Sequence, residues 1–175
     1  IIEKVKNSEQ KQKIEELFKF KVKRTIVNEE LKFSKDLTVD VQTVLRLYIK
    51  GQKSLQEMVD QIRSEISYNI PNYGERDCFI CEEIISLPRI LVILINRSVY
   101  DVENNRNLRI NTPVNYSKKI VISGTEFELH GILNHLSRSA DSGHYIAVLR
   151  PTMDDKWFSF NDSYVSRVHN DQELS

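Results

Sequence analysis

The sequence predicts an α+β fold dominated by an antiparallel sheet, and three observations carry that expectation. A charged helical pattern opens the chain. One capped helical pattern stands at Ser54–Ile66, between long stretches rich in β-branched residues. The last third alternates strand chemistry with turn chemistry at hairpin spacing.

Residues 3–19 are rich in Lys and Glu, with Val5, Ile14, Leu17 and Phe18 as a thin apolar stripe, the pattern of a solvated helix. Residues 20–49 favour extended structure. From Leu37 to Ile49 the apolar positions recur every second residue, as in a half-buried strand or strand pair. Gly51 breaks that run. Ser54-Leu55-Gln56-Glu57 then has the form of a capping box, and Leu55, Met58, Val59, Ile62 and Ile66 follow at helical spacing. Residues 69–77 read as a polar loop. Ile84–Ile95 reads as a buried strand after Pro88, and Asn104-Asn105-Arg106-Asn107 as a turn. Phe127–Asn134, His144–Arg150 and Trp157–Asn161 complete the predicted strands.

With 175 residues, 40% hydrophobic and 29% charged, the chain suits one globular domain and not general disorder. Its formal net charge is zero, which argues against nucleic acid as a partner. The longest apolar run, Ile90–Ile95, is too short to cross a membrane, and no secretory leader is visible. The chain opens at Ile1 instead of a methionine, which reads as a trimmed chain or a piece of something longer. Two cysteines, Cys78 and Cys81, are too few for a disulfide scaffold and point to a reducing compartment, the cytosol or nucleus.

The chemistry concentrates between Ser142 and Val168. His144 opens the run Tyr145-Ile146-Ala147-Val148-Leu149, Pro151–Asp155 supplies turn residues, and Trp157-Phe158-Ser159-Phe160 returns as a strand. Folded as a hairpin, this puts Leu149 near Lys156 and His144 near Asn161 or Asp162. Cross-strand partners lie roughly 5 Å apart at Cβ, within reach of a hydrogen bond between side chains. A histidine acting as a general base needs one ring nitrogen free and the other held by an acceptor. Asn161 and Asp162 are neighbours and face opposite ways in a strand, so one of them is the direct partner; the register leaves open which. Gly143, without a side chain, lets a substrate backbone pass close to the imidazole. The bland alternative is a strand-end histidine beside a bulge.

The words themselves resemble a known family. Gly131-Ile132-Leu133-Asn134-His135, Ser142-Gly143-His144-Tyr145-Ile146-Ala147 and Trp157-Phe158-Ser159-Phe160-Asn161-Asp162-Ser163-Tyr164-Val165 resemble, in order and spacing, the histidine box of ubiquitin-specific proteases. Leu87-Pro88-Arg89-Ile90-Leu91-Val92-Ile93 resembles the strand that precedes that family's substrate-facing loops. The resemblance implies the C-terminal part of a papain-like catalytic domain over residues 1–175, comprising the palm sheet and part of the fingers. His144 is then the general base and Asn161 the third triad member. Asp162 supports the transition state or takes over orientation of the histidine. Gly143, Tyr145 and Asp141 border the channel for the C-terminal tail of ubiquitin, with the 136–141 loop as a gate.

The implied partners are ubiquitin, ubiquitinated proteins and the N-terminal half of the same domain, with no membrane and no cofactor. The family's Asn-x-x-Cys nucleophile box does not occur here, so the nucleophile is expected outside this sequence and this chain alone is expected to be inactive. Cys78 and Cys81 lack its neighbours. One Cys-x-x-Cys pair supplies half of the finger zinc site found in many members, so no metal is expected. Ser98 stands where the family usually has an aromatic. A non-catalytic ubiquitin-binding scaffold is the alternative function.

Overall fold

The computed structural model describes residues 8–136, 143–151 and 156–169. Two compact units divide the chain, Ile1–Asn96 with Ile122–Thr125, and Arg97–Val121 with Glu126–Ser175. The expected α+β class is observed, and most strand pairs are antiparallel.

In the first unit, α1 (Ser8–Phe18) leads into β1 (Phe20–Asn28), β2 (Phe33–Gln42), β3 (Leu45–Tyr48), α2 (Leu55–Asp60), β4 (Arg63–Ile70), β5 (Gly74–Ser86) and β6 (Ile93–Asn96). Four of these strands form an antiparallel sheet in the order β2-β1-β5-β4, while β3 pairs in parallel with β6. The core is set by strand alternation. Phe20, Val22 and Ile26 of β1 point inward, and Ile26 meets Ile70 and Cys78. Asn28 is buried and hydrogen-bonded through both ends of its amide. Its amide nitrogen donates to the Asp77 carbonyl at 2.9 Å and its amide oxygen accepts from the Leu31 N–H at 2.8 Å, tying the β1–β2 turn to β5.

Three local expectations are corrected here. The helix at Ser54 stops at Asp60. Its cap is present, since the Ser54 hydroxyl accepts from the Glu57 N–H at 3.2 Å, although the Glu57 carboxylate turns to the Lys53 N–H at 2.9 Å. Ile62 follows the helix, and Ile66 sits on β4, where Ile66, Tyr68 and Ile70 obey a period of two and pack on the β1–β5 core. The loop expected at 69–77 is a tight hairpin, with Asn72 and Gly74 at positive φ (69° and 73°) and pairing resumed at Ile70↔Gly74. The alternating run from Leu37 to Ile49 belongs to two different sheets. Its first half lies on edge strand β2, where Leu37, Val39 and Val41 are exposed instead of half-buried, and its second half buries Leu45 and Leu47.

The second unit contains β7 (Ser98–Asp101) and β8 (Arg106–Arg109), an antiparallel pair around the expected turn. Further on, β9 (Lys119–Ile122) and β10 (Thr125–Glu128) form a ribbon closed by Ser123 and Gly124, both at positive φ (47° and 78°), whose tip, Ile122–Thr125, counts with the first unit. The strand expected over Phe127–Asn134 is interrupted at residues 129–130. After that break come β11 (Gly131–Leu136), β12 (His144–Leu149), β13 (Trp157–Asn161) and β14 (Tyr164–Val168), an antiparallel meander in chain order. Val148 and Trp157 are its buried centre, with Leu129, Ile132 and Val168 packed around them. Trp157 is thus a core residue, 6% exposed. The 152–155 part of the β12–β13 connection lies outside the described residues.

Candidate functional site

The β12–β13 register pairs Ala147 with Phe160, Val148 with Ser159 and Leu149 with Phe158. This is two residues away from the expected Leu149–Lys156 pairing, because a longer connection joins the strands. Backbone pairing is seen only at these three positions, short of the open end where His144 begins β12 and Asn161 ends β13. The side chains still meet there. His144 Nε2 lies 2.5 Å from Asn161 Oδ1. Asp162 Oδ2 lies 4.0 Å from the same ring nitrogen, on a side chain 82% exposed, whereas that of His144 is 44% exposed.

The chain arrives at this geometry for local reasons. Pairing of Asn161 with Tyr164 closes β13 onto β14 through Asp162-Ser163, and Asp162 takes the left-handed conformation (φ 52°) that so tight a turn requires. Asp and Asn tolerate that region better than most residues. The turn lifts the Asp162 carboxylate out of the strand alternation, so both Asn161 and Asp162 can approach one imidazole. The sequence had allowed only one of them. The short contact belongs to the amide, and the longer, water-screened one to the carboxylate.

An amide oxygen only accepts hydrogen bonds. The Nε2–Oδ1 contact therefore assigns the proton to Nε2, leaving the Nδ1 lone pair available. The arrangement is chemically able to hold one tautomer and to stabilise an imidazolium.

Gly143 is exposed immediately before β12. Tyr145, 58% exposed, stacks on His135 with ring centroids 4.6 Å apart, and the two are cross-strand partners. Strand alternation turns His144 and Tyr145 to opposite faces of the sheet. A channel bordered by both must cross the end of β12. Asp141 and the 137–142 loop lie outside the described residues. The His135–Tyr145 stack was not legible in the sequence, although both residues belong to the histidine-box motif. Nor was the contact of the Arg109 guanidinium, which donates to the His135 carbonyl at 2.8 Å. Nearby, Arg97 donates to the Ile110 and Thr112 carbonyls at 3.3 and 2.7 Å. Burial, and secondly the charge of Arg109, lower its hold on the proton.

The cysteines are placed differently. Cys78 and Cys81 stand three apart on β5, so their thiols project from opposite faces of that strand. Cys78 is 1% exposed in the core beside Ile26 and Ile70. Burial pushes the Cys81 thiol up, against a smaller downward pull from the Arg63 charge. Among the described residues no group of three or more His, Cys, Asp or Glu gathers as a metal site, and no helix is long and apolar enough to cross a membrane.

Comparison with solved structures defines the class. The chain matches one chain of the SAGA Ubp8/Sgf11/Sus1/Sgf73 DUB module bound to ubiquitin aldehyde, with a TM-score of 0.74 and 25% identity over 91% of this chain and 39% of that one. A yeast SAGA DUB module with an Sgf73 variant gives a TM-score of 0.76 over 99% of this chain and 44% of that one, at 22% identity, a likeness of fold. The fold is thus the papain-like α+β fold of ubiquitin-specific proteases, in its C-terminal, mainly antiparallel part.

The chain belongs to the ubiquitin carboxyl-terminal hydrolase family, whose model matches residues 2–175. Among curated relatives it is 29% identical over 141 residues to ubiquitin carboxyl-terminal hydrolase 48 of Danio rerio, covering 71% of this chain and 13% of that protein. It is 27% identical over 150 residues to ubiquitin carboxyl-terminal hydrolase 15 of Saccharomyces cerevisiae, covering 71% and 12%. The chain therefore spans only a small part of the length of the relatives it matches.

Proposed function

We propose that this chain is the C-terminal part of one thiol-dependent catalytic domain that hydrolyses ubiquitin from protein conjugates, and that His144 is its general base. The observation that carries the reading is the 2.5 Å contact from His144 Nε2 to Asn161 Oδ1. It supports a tautomer whose Nδ1 takes the proton of a cysteine thiol. The thiolate attacks the carbonyl of the C-terminal glycine of ubiquitin. The imidazolium, held by the Asn161 amide, then gives its proton to the leaving lysine amine as the C–N bond breaks. Water, deprotonated by His144, attacks the thioester carbonyl, breaks the C–S bond and releases the ubiquitin carboxylate and the thiol. Asp162 supports the imidazolium through water from its exposed position. No cofactor enters these steps.

The nucleophile comes from sequence outside these residues. Cys78 is too buried to meet substrate and the Cys81 thiol is pushed the wrong way for a thiolate. Gly143, Tyr145 and Asp141 border the tail of ubiquitin, in a channel that crosses the end of β12. The working compartment is the cytosol or nucleus, where thiols stay reduced.

The cysteine placement also favours a second reading, a non-catalytic ubiquitin-binding scaffold. One experiment separates the two. The full-length protein is treated with ubiquitin bearing a C-terminal electrophile and assayed on a ubiquitin C-terminal fluorogenic amide. Covalent capture and turnover, with turnover abolished by His144→Ala, support the hydrolase. Reversible binding without capture supports the scaffold, and a fully active His144→Ala protein removes the mechanism.

A further inference from the structure

His135 and Tyr145 stack as cross-strand partners on β11 and β12, with ring centroids 4.6 Å apart. Both sit on the face of the β11–β12 sheet opposite to His144, and their rings lie 23° from parallel. Tyr145 keeps more than half its surface in solvent while its ring stacks on the imidazole. An exposed tyrosine ordinarily samples several rotamers, and contact with a fixed ring narrows that choice. The imidazole is itself on a fixed base, because Arg109 donates to the main-chain carbonyl of His135. That anchor is to the main chain and does not involve the ring.

We propose that His135 is a positioning residue, whose imidazole holds the Tyr145 ring in one orientation as a preset wall for the extended tail of ubiquitin. The proposal rests on the reading above that Tyr145 borders the tail channel, and deepens it. A wall ordered before binding lowers the cost of ordering it on binding. Tyr145 supplies no group to the chemical steps, so the wall stabilises bound substrate and transition state alike. Its loss then appears in KM and not in kcat. For one stacked pair the expected effect is roughly 2- to 12-fold.

The test uses the full-length protein in two assays. The first is turnover of a ubiquitin C-terminal fluorogenic amide. The second is equilibrium binding of ubiquitin in a His144→Ala background, which needs no chemistry. His135→Ala is expected to raise KM and to weaken ubiquitin binding by the same factor, with kcat within about twofold of the parent. His135→Phe, a flat ring without titratable nitrogens, is expected to restore both. A binding loss rescued by Phe supports the proposal even in a protein that shows no turnover, where only the hydrolase reading fails. The proposal is overturned if His135→Phe is as weak as His135→Ala, if neither KM nor binding changes, or if kcat alone falls. A parent protein that neither binds nor cleaves ubiquitin overturns the proposal together with the reading beneath it.

Discussion

Removal of the Asn161 amide is the sharpest perturbation of the site. The amide oxygen lies 2.5 Å from His144 Nε2 and accepts the Nε2–H hydrogen bond. Once His144 is protonated, the same bond becomes charge-assisted. Neutral bonds contribute about 0.5–1.5 kcal/mol and bonds to charged groups about 1.5–3 kcal/mol. The part that grows toward the transition state, with the loss of ring orientation added, comes to about 1.4–2.7 kcal/mol, so Asn161→Ala is expected to lower kcat about 10- to 100-fold. Asp162 lies 4.0 Å from the ring on a largely exposed side chain, so Asp162→Ala alone is expected to cost no more than about fivefold. With the amide gone, Asp162 is the remaining partner of the imidazolium among the described residues, and the second substitution then costs more than it does in the parent. The assay is a double-mutant cycle on kcat in the full-length protein, with a ubiquitin C-terminal fluorogenic amide as substrate. Asn161→Ala at parental activity beside a crippled Asp162→Ala protein would refute the assignment of the amide as partner. Strictly multiplicative effects would refute the shared imidazole.

Other expectations follow from the surrounding fold. Trp157 is 6% exposed at the centre of the β11–β14 core, and Trp157→Ala is expected to destabilise by about 3–5 kcal/mol, read as a lower urea midpoint at unchanged m. Arg97 spans the Ile110 and Thr112 carbonyls, so Arg97→Ala is expected to cost about 1–3 kcal/mol and to raise deuterium exchange around residues 110–112, with Arg97→Lys recovering only part because an ammonium lacks the fork. The Asp101 carboxyl is held below the usual carboxylate range, first by the Asn104 side-chain amide and then by the Asn104 N–H. A depressed folded pKa gives stabilisation that is present above the unfolded value of about 3.9 and is lost as pH falls through the folded value. Protection of the Asn104 amide is therefore expected to fall only in that acid window, and Asp101→Asn is expected to remove the pH dependence.

The parts of this architecture written in local chemistry were legible in the sequence. The Ser54 cap, the turn after Asp101, and strands β12 and β13 needed only neighbouring residues for their prediction. Ile62 and Ile66 misled because their spacing from Leu55 and Met58 fits a helix, while Ile66, Tyr68 and Ile70 fit a strand equally well. The decision lies with β5, whose pairing with β4 no local pattern reveals. Leu37, Val39 and Val41 misled for a related reason. Alternation reports that one face differs from the other, not that something covers it, and β2 is an edge strand. At the site, the histidine and its two candidate partners were visible as residues, although the hairpin register was two positions off. The contact formed nonetheless, because it lies beyond the paired part of the strands and depends on side-chain reach. That the amide and the carboxylate both approach one ring follows from the left-handed turn at Asp162, a backbone feature that Asp-Ser alone does not announce.

The central claim is that the Asn161 amide fixes the proton of His144 on Nε2 and leaves Nδ1 as the base. Nitrogen-15 NMR of the histidine rings in the full-length protein reads this directly. At a pH where the ring is neutral, the account predicts a protonated, pyrrole-type Nε2 and a bare, pyridine-type Nδ1, with the two tautomers mixing in Asn161→Ala. A proton on Nδ1 with a bare Nε2 in the parent protein would contradict it.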